Sequence, residues 1–295
     1  MKKWLFLLSW LVIAMGMSSC KTDGEQTEGI SIAIISDAHI QDVVGHPELI
    51  RSQEAQVQST RLFNENYFAL CAALEDCGKR GIKTIVMPGD LTDDGQLVAQ
   101  ECARNILKTY ADKYCMQFFV TVGNHDPQQP LSYDVTKTDY LGDDGRQVSI
   151  SSDEKSGADI IYPQLRGAGY AEQTACYADF GFFPQEKFKY WATPYSTYGV
   201  DDYTYEKALA ESGIDKRTYD LQGIRAYDAS YVVEPIDNLW LLAIDGAVHI
   251  PKDDGTFHGS AKGYNNWMPQ QKKEARRSSP SAISPLSTST TVRAT

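Results

Sequence analysis

Apolar residues along the chain fall into short strand-like runs separated by helical spacings. Ile30 to Ile35 (ISIAII) is a β-branched run that predicts a buried strand ending at Ser36-Asp37. A polar loop follows it. From Ser59, a candidate N-cap, Leu62, Phe63, Tyr67, Leu70, Cys71 and Leu74 recur every three or four residues until Gly78 and Gly81, which predicts a helix. Lys83 to Met87 (KTIVM) predicts a second strand. A helix with Leu97, Val98, Cys102, Ile106 and Tyr110 on one stripe comes next, then Met116 to Val122 (MQFFVTV) as a third strand. Strand, helix, strand, helix, strand predicts an α/β fold with a parallel sheet.

Residues 127–227 break this rhythm. Of these 101 residues, 17 are Phe, Tyr or Trp, too aromatic for a disordered linker, so they predict a folded insertion. The core then resumes with Ala229 to Val233 (ASYVV) and Leu239 to Ile244 (LWLLAI), a predicted β-hairpin. Residues 266–295 change character. Ten of the last 18 residues are Ser or Thr without apolar periodicity, which predicts an irregular tail.

The N-terminus reads as an address. Lys2 and Lys3 precede an apolar run from Trp4 to Met17, which is shorter than the roughly 18 residues that span a bilayer. Met17-Ser18-Ser19-Cys20 then resembles the lipobox of bacterial lipoproteins. Residues 1–19 are thus expected to be a lipoprotein signal peptide, Cys20 the acylated residue and residues 20–29 a polar tether. The expected location is the cell envelope, held to the membrane through the lipid anchor only. Five further cysteines, an odd number, leave at least one thiol free. Cys71 and Cys77 lie six apart on one predicted helix, beyond disulfide reach.

Composition narrows the partners. With 28 Lys and Arg against 39 Asp and Glu, the net charge is −11, which argues against nucleic-acid binding. Hydrophobic residues at 42% supply an ordinary globular core.

The candidate chemistry sits directly after the three predicted strands: Asp37-Ala38-His39, Gly89-Asp90-Leu91-Thr92-Asp93 and Gly123-Asn124-His125-Asp126. Loops at the carboxyl ends of strands in an open α/β sheet converge on one crevice. Two Asp, two His and one Asn gathered there suit Mn, Fe, Zn or similar divalent ions. Asp37 and His39 can bind one ion, Asp90 can bridge two, and the Asn124 oxygen can bind the second. Two such ions lower the pKa of a bridging water and clamp a phosphoryl oxygen. His125 is then the candidate general acid, with Asp126 placed to orient it or raise its pKa.

In this order and context the three motifs resemble those of the calcineurin-like metallophosphoesterase superfamily, over roughly residues 30–265. The resemblance implies a four-layer α/β/β/α sandwich and a dinuclear centre that hydrolyses phosphomonoesters or phosphodiesters. It also implies Asp37, His39 and Asp90 as ligands of the first ion, Asp90 and Asn124 of the second, and His125 as acid or transition-state stabiliser. Such proteins carry two later motifs, a lone strand-end His and Gly-His-x-His, and neither occurs here. His249 and His258 lie outside such contexts, and His46 reads as a solvated loop residue. The expectation is a domain whose C-terminal part is missing, through truncation or a frame shift. The competing expectation is a non-catalytic surface lipoprotein or an inactive remnant.

Overall fold

A computed structural model describes residues 30–59, 61–221 and 224–246, with three short strands beyond them. The leader, Cys20 and the tether lie outside the described residues, as do the side chains of His249 and His258. Among the described residues no helix is long and apolar enough to cross a membrane.

The predicted parallel sheet is present. Strand β1 (Ile32–Ile34) pairs with β2 (Thr84–Pro88), which pairs with β3 (Gln117–Thr121), all parallel, with Ala33 opposite Ile85 and Ile85 opposite Phe118. Successive residues Ile85, Val86 and Met87 are all buried, so the central strand is covered on both faces, as a parallel strand must be. Helices α1 (Gln53–Ser59) and α2 (Asn66–Lys79) lie between β1 and β2, and α3 (Leu97–Tyr114) links β2 to β3.

The start of the first predicted helix needs correction. Ser59 ends α1 instead of capping α2, whose N-cap is Glu65. Leu62 and Phe63 lie in the connecting turn, with Phe63 buried and Leu62 exposed. Phe63 reaches the core from a turn, so its position matches the helical stripe without helical backbone.

The segment set apart as an insertion is woven into the core. Its first part forms a small antiparallel unit in which β4 (Thr136–Leu141) pairs with β5 (Gln147–Ser151), and β5 pairs in parallel with β6 (Ile160–Ile161). Val135, Tyr140, Ile150 and Leu165 of this unit bury together with Leu49 and Val98. Helix α4 (Tyr170–Cys176) follows, and β7 (Tyr190–Ala192) belongs to a second sheet. After α5 (Tyr205–Glu211) and the hairpin of β8 (Thr218–Leu221) and β9 (Ile224–Tyr227), the chain enters β10 (Tyr231–Ile236) and β11 (Leu239–Ala243). These form the predicted hairpin, and β7 pairs antiparallel with β10 on its far side.

Three later strands are described: β12 (His249–Pro251), β13 (Phe257–Gly259) and β14 (Ser284–Leu286). The tail is therefore not wholly irregular, since β14 pairs in parallel with β11. An open sheet edge accepts backbone partners whatever their side chains.

One continuous core joins the two sheets. It contains Leu74 from α2, Ile106 and Leu107 from α3, Phe119 and Val120 from β3, and Trp191, Tyr231 and Leu241 from the second sheet. The buried Tyr231 hydroxyl donates to the Val120 carbonyl at 2.9 Å, which fixes β10 against β3.

Candidate metal centre

The three motifs meet at the carboxyl ends of β1, β2 and β3. The chain leaving β1 runs beside the chain leaving β2: the backbone N–H of His39 donates to the Asp90 carbonyl at 3.0 Å, and that of Ile40 to the Leu91 carbonyl at 2.9 Å. The third loop closes on the second. The His125 N–H donates to Asp90 Oδ1 at 2.9 Å, and Gly123 passes so close that a Cβ there would lie 2.1 Å from the same oxygen. Only glycine permits that approach.

Backbone strain concentrates in these loops. Asp37, His39 and Asp90 all adopt positive φ, at 55°, 44° and 47°. Non-glycine residues in this region cost roughly 1–2 kcal/mol each and persist where surrounding bonds determine them. The crossed backbone pairing above does so, and aims the three side chains at one point.

Two sets of candidate ligands result. Single donor atoms of Asp37, His39 and Asp90 lie within 4.8 Å of one another, as do those of His39, Asp93 and His125. The His39 and His125 rings stand edge to face with centroids 4.9 Å apart. His39 is only 8% exposed, and its Nδ1 is buried without a hydrogen-bond partner, with an Asp93 oxygen 3.4 Å away. An orphaned imidazole nitrogen beside three carboxylates is a donor set that fits a divalent cation. Asn124 occupies the same turn as His125 and is exposed.

His125 is held by partners that its spacing did not disclose. Its Nδ1 contacts the Asp93 carbonyl oxygen and lies 3.6 Å from Asp94 Oδ1, while its Nε2 lies 2.9 Å from Arg61 Nη2. The Asp94 carboxylate beside Nδ1 raises the His125 pKa against the opposing effect of burial. Asp94 itself is pushed up by burial. The nearby His125 ring and the Lys137 ammonium outweigh this and hold its carboxyl below the usual range.

The role expected of Asp126 is corrected by these contacts. Its carboxylate accepts from the Thr92 N–H at 2.8 Å and the Thr92 hydroxyl at 3.3 Å, and Asp94 is the carboxylate that lies beside His125 Nδ1. Asp126 is fully buried. Desolvation, followed by the charge of Asp90, raises its pKa well above the ordinary carboxylate value. It pins the third loop to the second, while Gln173 of α4 donates to its carbonyl at 2.7 Å.

Cations from outside the motifs surround the second loop. Arg51 is buried, donates to Asp93 Oδ2 at 3.4 Å and pairs with Asp139, and its guanidinium lies 4.4 Å from the Phe63 ring centroid. Arg61 Nη1 donates to Asp93 Oδ1 at 3.0 Å. Lys137 of β4 pairs with Asp94. No sequence signal marked these residues, because an isolated Arg or Lys in a polar loop is indistinguishable from solvated charge.

His46, expected to be solvated, is half-buried. Its Nδ1 lies 3.1 Å from Glu48 and 2.5 Å from the Tyr162 hydroxyl, which ties the loop after β1 to the small antiparallel unit. Cys71, Cys77, Cys102 and Cys176 are free thiols.

The fold and site define an α/β protein with a candidate divalent-metal centre at the strand ends. The chain belongs to the calcineurin-like phosphoesterase family, whose model matches residues 30–241. That match spans all three motif loops, the first sheet, and the second sheet from β7 through most of β11. It makes the chain a hydrolase of the metallophosphoesterase superfamily, in which divalent ions serve catalysis. Comparison with curated proteins returns no match.

Proposed function

We propose that the protein hydrolyses a phosphomonoester or phosphodiester at a dinuclear metal centre. The observation that carries this reading is the convergence of Asp37, His39 and Asp90 within 4.8 Å, with His125 bound through its N–H to Asp90. Asp37, His39 and Asp90 would hold the first ion, and Asp90 and Asn124 the second. Mn, Fe and Zn all suit such ligands. Bound there, the ions would supply Lewis acidity and a lowered pKa for attacking water.

The chain's own residues do the remaining work. His125 Nδ1 is turned toward Asp93 and Asp94, which leaves Nε2 as the ring atom for the oxygen of the leaving group. The Asp93 carbonyl and the Asp94 carboxylate orient the ring. Asp126 and Gly123 keep the third loop close to Asp90.

The two sheets are read as the inner layers of a four-layer α/β/β/α sandwich, supported by their shared core. Export and acylation at Cys20 complete the proposal, on the strength of the charged, apolar and small-residue sequence of the leader. The test is hydrolysis of p-nitrophenyl phosphate and bis-(p-nitrophenyl) phosphate with added Mn, Fe or Zn. The reading expects turnover that chelation removes and metal restores. Absence of turnover with every metal would refute it.

A further inference from the structure

Among the described residues, Arg51, Arg61 and Lys137 are the Arg and Lys side chains that form ion pairs with Asp93 or Asp94, and they are not equivalent. Arg51 is 5% exposed, is shared between Asp93 and Asp139, and stacks on Phe63 and Tyr140. Lys137 comes from β4 and is committed to Asp94. Arg61 differs on each count. It is 32% exposed and lies between α1 and α2, with only one arm on a carboxylate, Nη1 on Asp93 at 3.0 Å.

The other arm, Nη2, rests on His125 Nε2 at 2.9 Å. A guanidinium only donates hydrogen bonds, so the imidazole nitrogen must be the acceptor there. A neutral nitrogen is a weak partner for a cation. An anionic phosphoryl oxygen is a stronger one, because its full negative charge adds Coulomb attraction to the charge-assisted bond that the guanidinium makes with either acceptor. Asp93, 1% exposed and held by Arg51, keeps the guanidinium in place while its free arm exchanges partners.

We propose that Arg61 is the substrate-anion ligand of this centre and that it favours phosphomonoesters over phosphodiesters. On binding, Nη2 leaves His125 Nε2 for a phosphoryl oxygen, while Nη1 stays on Asp93. The preference follows from charge. A monoester dianion carries about twice the charge of a diester at neutral pH, so it gains about twice the Coulomb attraction from the same guanidinium. It also has one more free oxygen to offer. In a chain of net charge −11, with Asp37, Asp90, Asp93 and Asp94 around the site, such a cation offsets the repulsion a dianion meets. This inference rests on the phosphoesterase reading above and sharpens its substrate class.

The experiment compares wild type, Arg61→Ala and Arg61→Lys, with metal content and thermal melts measured alongside. Isothermal titration with inorganic phosphate reads anion binding independently of turnover. Kinetics on p-nitrophenyl phosphate and bis-(p-nitrophenyl) phosphate read the preference. Arg61→Ala should weaken phosphate binding about 10- to 100-fold and lower kcat/KM for the monoester by a similar factor, with a several-fold smaller loss for the diester. Arg61→Lys, which keeps the charge, should recover much of the phosphate affinity. Unchanged phosphate affinity in Arg61→Ala, or equal losses on both esters, would overturn the inference while an active wild type left the phosphoesterase reading standing. A wild type that holds no metal and hydrolyses neither ester would remove both.

Discussion

Strands β2 and β11 are buried along nearly their whole length, and each runs into an aspartate soon after its last residue. Asp245, after β11, is 1% exposed. It accepts from the Ala229 N–H at 2.9 Å and the Tyr170 hydroxyl at 3.2 Å, while its own N–H donates to Ser230 at 2.9 Å. Through these bonds it works as a brace. Asp90, after β2, sits at φ 47° next to Gly89 at φ 81°, receives one N–H from His125, and faces Asp37 and His39. An acidic residue at a strand end is thus not a ligand by position alone. What separates the two is left-handed backbone and other metal-type donors at the same point.

The comparison predicts that changes around Asp90 remove function and that changes in the second sheet remove stability. The largest effect is expected for Asp90→Asn. The altered ligand should cut kcat/KM on the phosphate esters by about 10³-fold or more while the melting temperature of the metal-free chain moves little. Equal losses in Asp245→Asn would erase the distinction between the two aspartates.

Trp191→Ala tests the other region. Trp191 is wholly buried in β7 and donates from its indole nitrogen to the Gly181 carbonyl at 2.9 Å. Its truncation should cost about 3–5 kcal/mol in denaturant unfolding, with kcat/KM per folded molecule retained. A comparable loss of activity in the folded fraction would show that the second sheet shapes the centre.

Gly123→Ala comes next. The added methyl would collide with Asp90 Oδ1 and also lie 2.3 Å from the Asp90 backbone nitrogen, so the third loop must move. Destabilisation of about 1–3 kcal/mol is expected together with loss of bound metal, read by unfolding and by elemental analysis of the same sample.

The smallest effect concerns Lys137→Ala. The variant leaves Asp94 buried without its principal cation, at a cost of about 1–2 kcal/mol at neutral pH. Because the folded pKa of Asp94 is lowered, its stabilising contribution is present above the ordinary aspartate value near 4 and fades as pH falls toward the folded value. Melting temperatures of wild type and variant should therefore draw together progressively as pH falls below about 4. A difference that stayed constant would assign the loss to packing instead of charge.

The sequence discloses the first sheet well because its signals are local and repeated. Three apolar runs, each followed by a polar motif, define β1, β2, β3 and the placement of Asp37, His39, Asp90, Asn124 and His125. Elements that depend on distant partners are not legible. β7 is three residues, Tyr190-Trp191-Ala192, and becomes a strand only because β10 pairs with it. Helix α1 is polar and carries no stripe. Asp126 lies next to His125 in sequence, yet the Thr92 hydrogen bonds hold its carboxylate, while Asp94 arrives beside the ring from the second loop. Arg61 reaches His125 across 64 positions of chain, a juxtaposition no motif encodes.

The central claim is that the three strand-end loops form a centre for divalent ions. Elemental analysis of the purified chain after loading with Mn, Fe or Zn and removal of free metal tests it most directly. About two ions per chain are expected, lost on mutation of Asp90. A chain that retains no ion from any of the three metals would contradict it.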